Sequence, residues 1–176
     1  MRKFIFLLLA SIILFSISCS TFNVKFDYDS EEDFSKFKTF DFLKVPDDVR
    51  VNELVLRRIY RAIGLEFKNK GFTRVMNNAD LLVAVHANIR DRINVVSWGY
   101  GYAPYYWYGY WGPHAVSAYR YEEGTLAIDI VKASEETLIW RGVGQGVLPE
   151  AMSPEEMDEM INKKVAKILR EFPPKK

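Results

Sequence analysis

The chain has 176 residues, of which 49% are hydrophobic, 27% charged and 15% aromatic. These values fit one globular domain and exclude a disordered or collagen-like chain. The formal net charge is +1, and without residues 1–18 the chain would hold 22 basic and 23 acidic residues. Nucleic-acid-binding domains normally carry a strongly basic total, so we expect no nucleic-acid partner.

Residues 1–18 have the order of a secretory signal peptide. Arg2 and Lys3 precede an apolar stretch that runs from Phe4 to Ile17, and small residues stand before Cys19. As a helix this stretch would span roughly 21 Å, which is less than the roughly 30 Å hydrocarbon core of a bilayer. A cleavable signal is therefore favoured over a membrane-spanning anchor.

Cys19 is the only cysteine, and its surroundings resemble a lipobox, in which the thiol receives diacylglycerol before cleavage. Ile17 and Ser18 fit that motif, whereas Ser16 stands where leucine is usual, and Ser16-x-Ser18 would also suit the ordinary signal peptidase. The alternative is a secreted protein with a free thiol, which would be open to oxidation and intermolecular pairing. We expect lipidation of Cys19.

The lipid on Cys19 makes a membrane the first expected partner, because two or more acyl chains give a stable anchor. Ser20 follows Cys19 in place of aspartate. By resemblance to lipoprotein sorting rules, this favours the periplasmic face of the outer membrane in a cell with two membranes. The predicted organisation is a signal peptide at 1–18 and one domain at 19–176.

The mature chain begins with two predicted strands, at 22–28 and 37–43, where apolar and polar residues alternate. A helix is predicted from Val51 to Lys70, because apolar residues recur at helical spacing and Gly71 provides a C-terminal stop. Arg57, Arg58 and Arg61 are expected on its solvated face. Further strands are predicted at 72–75 and 81–89.

In the second half of the chain, the sequence pattern predicts strands at 115–121, 125–131 and 137–147, with a turn at Glu122–Gly124 between the first two. Ser153, Pro154 and Glu156 form the pattern of a capping box, which predicts a final helix that ends before Pro173. The predicted fold class is therefore α+β, a two-layer sandwich of a mainly antiparallel sheet with two amphipathic helices on one face.

Nine of the fourteen residues from 98 to 111 are aromatic. Four consecutive rings at 105–108 cannot all point to one side of a strand, and exposed apolar patches often mark contact surfaces. The candidate binding surface consists of Trp98, Tyr100, Tyr102, Tyr105, Tyr106, Trp107, Tyr108, Tyr110 and Trp111.

Four interpretations of this aromatic segment stay open: a lid folded over the core, a contact for a protein partner, a membrane-interface element, or a platform for glycan rings. No Lys or Arg lies between Trp98 and His114. This counts against anionic lipid or nucleic acid there, because phosphate contacts usually need cations among the rings.

The sequence has no motif that assigns catalytic residues, a metal site or a cofactor. His86 and His114 lack ligand spacing, and we expect His86 to be a hydrogen-bonded sheet residue and His114 an exposed loop residue. Gly142, Gly144 and Gly146 lie inside a strand pattern without a following Lys-Ser/Thr, so close packing or a bulge is favoured over a phosphate loop.

Several sequence blocks, in order, resemble bacterial lipoproteins that carry the DUF4136 domain, a domain of unknown function. The blocks are DFSKFKTFDFL at 33–43, EFKNKGF at 66–72, NADLLVAVHANIRDR at 78–92, SWGYGY at 97–102, EGTLAIDIV at 123–131, LIWRGVGQG at 138–146 and INKKVAKILREFPP at 161–174. The resemblance implies a lipid anchor, an α+β domain and a Gly/aromatic-rich central stretch. It implies no activity, because the family has no established catalytic residues.

Two functions from different classes follow from these observations. The favoured one is a lipid-anchored, non-catalytic module of the cell envelope that binds an envelope protein or takes part in assembly. The alternative is a glycan-binding or glycan-processing envelope protein.

Overall fold

The computed structural model describes residues 22–43, 51–97, 116–149 and 151–175, with the backbone alone for 91–97 and 116–121. The predicted signal peptide, Cys19, the aromatic segment and His114 lie outside the described residues. What the sequence predicts for them stays a prediction.

The described strands form one mixed sheet. They are β1 (Asn23–Tyr28), β2 (Thr39–Phe42), β3 (Thr73–Arg74), β4 (Leu81–Ser97), β5 (Val116–Lys132) and β6 (Thr137–Leu148). Their order across the sheet is β1-β6-β5-β4-β2-β3. The pairs β1–β6, β6–β5 and β5–β4 are antiparallel, whereas β2 runs parallel to both β4 and β3. The predicted α+β class with a mainly antiparallel sheet is confirmed.

Two helices cover one face of this sheet. They are α1 (Glu53–Asn69) and α2 (Pro154–Ile168), and short 3₁₀ turns lie at Phe34–Lys36 and Leu169–Glu171. The predicted capping box is present, since the Ser153 hydroxyl accepts from the Glu156 amide and the Glu156 carboxylate accepts from the Ser153 amide. Gly71 ends α1 with φ +89°, a left-handed conformation that favours glycine.

The core lies between the helices and the sheet, and Phe172 stands at its centre. Its ring centroid is 5.3 Å from that of Phe67 in α1, 5.4 Å from Trp140 in β6 and 5.6 Å from Phe72. Most residues that the helical and strand periodicities predicted as inward are buried here or pack against this core. The inward position is wrong for Phe26, Tyr28 and Ile89, whose side chains are exposed. Phe26 and Tyr28 lie on β1, an edge strand of the sheet, where a neighbouring strand covers one side only. Among the largest fully buried side chains are Trp140, Phe40, Phe67, Phe172, Ile63, Leu81, Ile128, Ile130 and Ile168.

The turn predicted at Glu122–Gly124 is wrong, because β5 runs unbroken from Val116 to Lys132. Glu122 to Gly124 pair with Asp91 to Ile89 on β4 and with Leu148 to Gly146 on β6. Backbone hydrogen bonding to strands on both sides outweighs the local turn preference of this short polar segment.

The β4–β5 pair continues beyond the rest of the sheet. β6 pairs with β5 only as far as Glu122, whereas the β4–β5 pairing extends to Ser97 and Val116. The additional six residues of β5, at about 3.4 Å each, make a two-stranded ribbon roughly 20 Å long. In the sequence, the aromatic segment connects the two ends of this ribbon.

Three glycines on the helix-facing side of β6 form a depression that we call the glycine trough, consisting of Gly142, Gly144 and Gly146. A Cβ at Gly142 would collide with the Trp140 ring and lie 2.8 Å from Ile168 Cγ2. A Cβ at Gly144 would collide with the Phe22 ring, and one at Gly146 would lie 3.0 Å from it. The close packing predicted for these glycines is confirmed, and it lets α2 and Phe22 approach the sheet.

Asp80 fixes the start of β2 against β4. Its carboxylate accepts hydrogen bonds of 2.8 Å from the backbone amides of Lys38 and Thr39, and the Thr39 hydroxyl accepts from the Asp80 amide at 2.9 Å. These backbone donors lower the pKa of the Asp80 carboxyl, because they stabilise its charged form.

Replacing Gly142 by alanine should lower the free energy of unfolding by about 1–3 kcal/mol, because the added methyl group overpacks the contact with Trp140 and Ile168. The matched control is Gly64→Ala in α1, where the new Cβ would meet nothing within 4 Å. That change should raise stability by up to about 1 kcal/mol through helix propensity. Urea denaturation of both variants checks the prediction, and equal effects would contradict it.

Asp80→Asn should lower the free energy of unfolding at pH 7 by about 1–3 kcal/mol, because charge-assisted hydrogen bonds to two amides are weakened. The folded-state pKa is depressed, so this contribution is complete above the unfolded-state pKa of about 3.9 and is lost as pH falls through the folded value. Denaturation series from pH 7 downward should therefore show that the unfolding free energies of the natural chain and of Asp80→Asn become equal in acid.

The control for this prediction is Asp41→Asn on β2, whose carboxylate binds the exposed Arg74 side chain at 3.0 Å. This change should cost less than about 1 kcal/mol, as is usual for an exposed ion pair. A larger loss for Asp41→Asn than for Asp80→Asn would show that the backbone anchoring by Asp80 stabilises the fold less than the surface ion pair does.

Candidate functional site

A largely apolar cavity lies between the two helices and the sheet, and we call it the Lys164 cavity. Its volume is about 260 Å³. The sheet contributes Ala87, Leu126 and Leu148, which come from the three adjacent strands β4, β5 and β6. Hydrophobic pockets with a few polar groups are the usual form of small-molecule binding sites.

The helices supply the walls of the cavity. Val55 and Ile59 project from α1, and Met157, Met160 and Ile161 project from α2. Methionine side chains are flexible and polarizable, so they adapt to ligands of irregular shape. Met157 and Ile161 are four residues apart, which places them on the same side of α2.

Lys164 brings a charge to this apolar wall. Burial lowers the pKa of its ammonium group, since desolvation disfavours the charged form. Its Nζ lies 5.0 Å from the centroid of the Phe22 ring. Among the described residues, no carboxylate forms an ion pair with Lys164.

Sequence reasoning did not single out Lys164, because it stands between Ile161 and Val165 like any lysine at the edge of an amphipathic helix. The tertiary structure places α2 close enough to the sheet to leave the stem and ammonium of Lys164 half-buried. Its neighbour Lys163 is 74% exposed and pairs with Glu159 at 2.6 Å. The two adjacent lysines therefore have different environments.

Phe22 links the cavity to the amino terminus. Its side chain is 7% exposed and lines the cavity beside Lys164. The Lys167 ammonium donates a 2.7 Å hydrogen bond to the Phe22 carbonyl. The first described residue of the domain is thus held firmly on α2, three residues after Cys19 in the sequence.

The opposite face of the sheet carries a polar cluster. Asp129 is 5% exposed, and Arg141 donates to both of its carboxylate oxygens at 2.6 and 2.5 Å. This pairing raises the pKa of the Arg141 guanidinium. His86 Nε2 lies 3.4 Å from Asp129 Oδ2, which agrees with the sheet position predicted for His86 and gives it a carboxylate neighbour.

The arginines of α1 have different roles. Arg57 pairs with Glu53 on the exposed surface, as predicted. The prediction of a solvated position is wrong for Arg58, whose side chain is 21% exposed and binds Asp158 of α2 at 2.7 Å. This ion pair joins the two helices through residues that are 100 positions apart in the sequence, so no local pattern could indicate it.

A second depression lies at the other edge of the domain, between α1 and the strands β2 and β3. Arg61, Lys68 and Arg74 surround it, and its volume is about 410 Å³. The Tyr60 hydroxyl at its wall is buried without a hydrogen-bond partner among the described residues, and burial raises its pKa. Its polar rim distinguishes it from the Lys164 cavity.

Within the described ranges, no group of three or more His, Cys, Asp or Glu side chains is placed to hold a metal ion. Neither α1 nor α2 is long and apolar enough to cross a membrane. The predicted aromatic surface from Trp98 to Trp111 lies outside the described residues, so its role as a contact surface stays a prediction.

No curated protein matches the chain significantly. Among solved structures it is similar to a PDZ domain protein from Parabacteroides distasonis, with a TM-score of 0.54 and 18% identity over 96% of this chain and 40% of that one. It is also similar to PelC from Paraburkholderia phytofirmans, solved as a dodecamer, with a TM-score of 0.50 and 11% identity over 84% of this chain and 94% of that one.

These likenesses show a shared fold, and the chain spans 40% of the length of the Parabacteroides protein. The sequence profile of one family, described as a domain of unknown function (DUF4136), matches residues 24–174 and so covers every described strand and helix except the first residue of β1. The chain therefore belongs to the DUF4136 family.

Proposed function

We propose that this protein is a lipid-anchored module of the bacterial cell envelope that binds a partner and does not catalyse a reaction. The observation that carries this proposal is the order of charges, apolar residues and small residues that ends at Cys19. Lipid on Cys19 would tether the domain permanently to a membrane.

The position of Phe22 supports this tether. A chain of three residues spans at most about 10 Å, and Phe22 is fixed on α2 by burial and by the hydrogen bond from Lys167. A lipid on Cys19 would therefore hold the domain next to the membrane surface, with the Lys164 cavity on the side of the anchor.

The carboxylates of the described core and sheet support a binding role over a catalytic one. Asp129 is engaged by Arg141, Asp80 by two backbone amides, and Glu32 by Lys132 at 3.1 Å. Each of these groups is engaged by a structural partner within the fold. General acid–base catalysis instead needs a group whose proton is free to move near the working pH.

The ribbon made by β4 and β5 supports contact with an envelope protein. Its described end, at Ser97 and Val116, lies roughly 20 Å beyond the last residue of β5 that pairs with β6, and the aromatic segment follows Ser97 in the sequence. PelC, which shares the fold, is a dodecamer, so an assembly role suits this scaffold. Binding of a glycan by the same rings is the second candidate, because Trp and Tyr rings stack on sugar faces.

Cys19→Ser should abolish lipidation, and cleavage after Ser16-x-Ser18 by the ordinary signal peptidase should then release the protein from the membrane fraction. Mass spectrometry of the mature amino terminus should find a diacylated Cys19 in the natural chain and none in the variant. The control is Ser20→Asp, which keeps the thiol and should stay membrane-bound while moving to the inner membrane of a two-membrane cell. An unmodified Cys19 in protein released to the medium would overturn the anchor.

Replacing Tyr106, Trp107 and Tyr108 together by alanine should abolish crosslinking of the protein to its envelope partner in intact cells while changing the unfolding free energy by less than about 1 kcal/mol. The control replaces Phe26 and Tyr28 by alanine, and it should preserve the crosslink. These two residues are 46% and 41% exposed on the edge strand β1. Severe unfolding of the triple variant would instead identify the segment as a lid on the core, and lost retention on glycan alone would favour the second candidate.

A further inference from the structure

The Lys164 cavity combines two features that together specify a ligand class. Its lining is dominated by apolar side chains of α1, α2 and the sheet, and Lys164 places one ammonium group at its wall. A half-buried lysine without a carboxylate partner is costly, because desolvation disfavours its charge. A bound anion would offset that cost.

Charge within the cavity favours an anionic ligand over a cationic one. The described lining has two charged residues, Lys164 and Glu122. Glu122 is exposed to solvent, where water screens its charge, whereas Lys164 is half-buried beside the Phe22 ring. The less screened charge dominates the interaction with a ligand inside the cavity.

The volume of the cavity favours a single-chain ligand. An engineered apolar cavity of about 150 Å³ binds benzene, so by proportion the cavity of about 260 Å³ holds about ten carbon atoms. A single short chain fills this volume, whereas the two chains of a phospholipid or a helix of a protein partner would extend beyond it. The single ammonium group of Lys164 also matches the single charge of a carboxylate better than it matches a phosphate that carries a larger headgroup.

We propose that the Lys164 cavity binds a free single-chain carboxylic acid, with the hydrocarbon chain between α1, α2 and the sheet and the carboxylate at the Lys164 ammonium. The chain contacts Val55, Ile59, Leu126, Met157 and Met160. Phe22 lines the cavity beside Lys164. This assignment goes beyond the proposed anchoring function and does not depend on lipidation of Cys19.

Methyl resonances of methionine provide the test. The processed chain carrying Cys19→Ser, which lacks both the lipid and the apolar residues 1–18, is labelled at its methionine methyl groups and titrated with decanoate below its micelle concentration. The resonances of Met152, Met157 and Met160, which line the cavity, should shift. Met76, 86% exposed and outside the lining, is the internal reference and should not.

Lys164→Met should weaken decanoate binding by about tenfold or more, which is the expected effect of losing a charge-assisted contact. The matched control is Lys163→Met, on the exposed side of the same helix turn, which should bind decanoate like the unsubstituted chain. Decanol should bind both variants equally, because it lacks the carboxylate. Ala87→Phe, which fills the cavity from β4, should abolish binding of both compounds while circular dichroism stays unchanged.

Three outcomes would overturn the proposal. The first is the absence of methyl shifts with any probe. The second is equal decanoate affinity in the Lys164→Met and Lys163→Met variants, and the third is stronger binding of decyltrimethylammonium than of decanoate. None of these results bears on the mass of the mature amino terminus, so failure here and failure of the lipid anchor are distinguishable.

Discussion

The close approach of α2 to β6 is the contact on which the rest of the domain depends. The glycine trough of Gly142, Gly144 and Gly146 removes three side chains from the helix-facing side of a central strand. The Trp140 ring and Ile168 occupy the space beside Gly142, and Phe22 occupies the space beside Gly144 and Gly146. Any side chain at Gly142 or Gly144 would push the helix layer away from the sheet, because packed cores deform little.

This contact also positions the features relevant to function. Because Phe22 lies in the glycine trough, the chain enters the domain directly beside α2, where Lys164 and Lys167 lie near its ring at 5.0 and 5.7 Å. The Lys164 cavity therefore adjoins the point at which a lipid anchor on Cys19 would join the fold. On the other face, Asp129 and Arg141 stabilise the sheet through their paired hydrogen bonds.

The spacing of apolar residues predicted where the helices and strands lie. It did not predict that β5 runs unbroken through Glu122–Gly124. The capping box at Ser153 and the stop at Gly71 are local devices that involve residues within one helical turn, so the sequence displays them directly. The residues from Glu122 to Gly124 resemble a turn in isolation, but hydrogen bonds from β4 and β6 keep them extended. The sequence also did not predict that β2 pairs in parallel with β4, because the hydrogen bonds between Asp80 and Thr39 that anchor β2 join residues 41 positions apart.

The sequence by itself determined the two amphipathic helices and the expectation of a lipid on Cys19, because each depends on residues close together in the chain. It also determined the fold class and the family, because these follow from the order of local patterns along the chain. Only the tertiary structure decided where the α2 lysines lie and that Arg58 binds Asp158. It also decided which side chains fill the glycine trough. The physical reason is that burial and desolvation arise from side chains brought together by folding, and for Lys164 those side chains come from both helices and three strands.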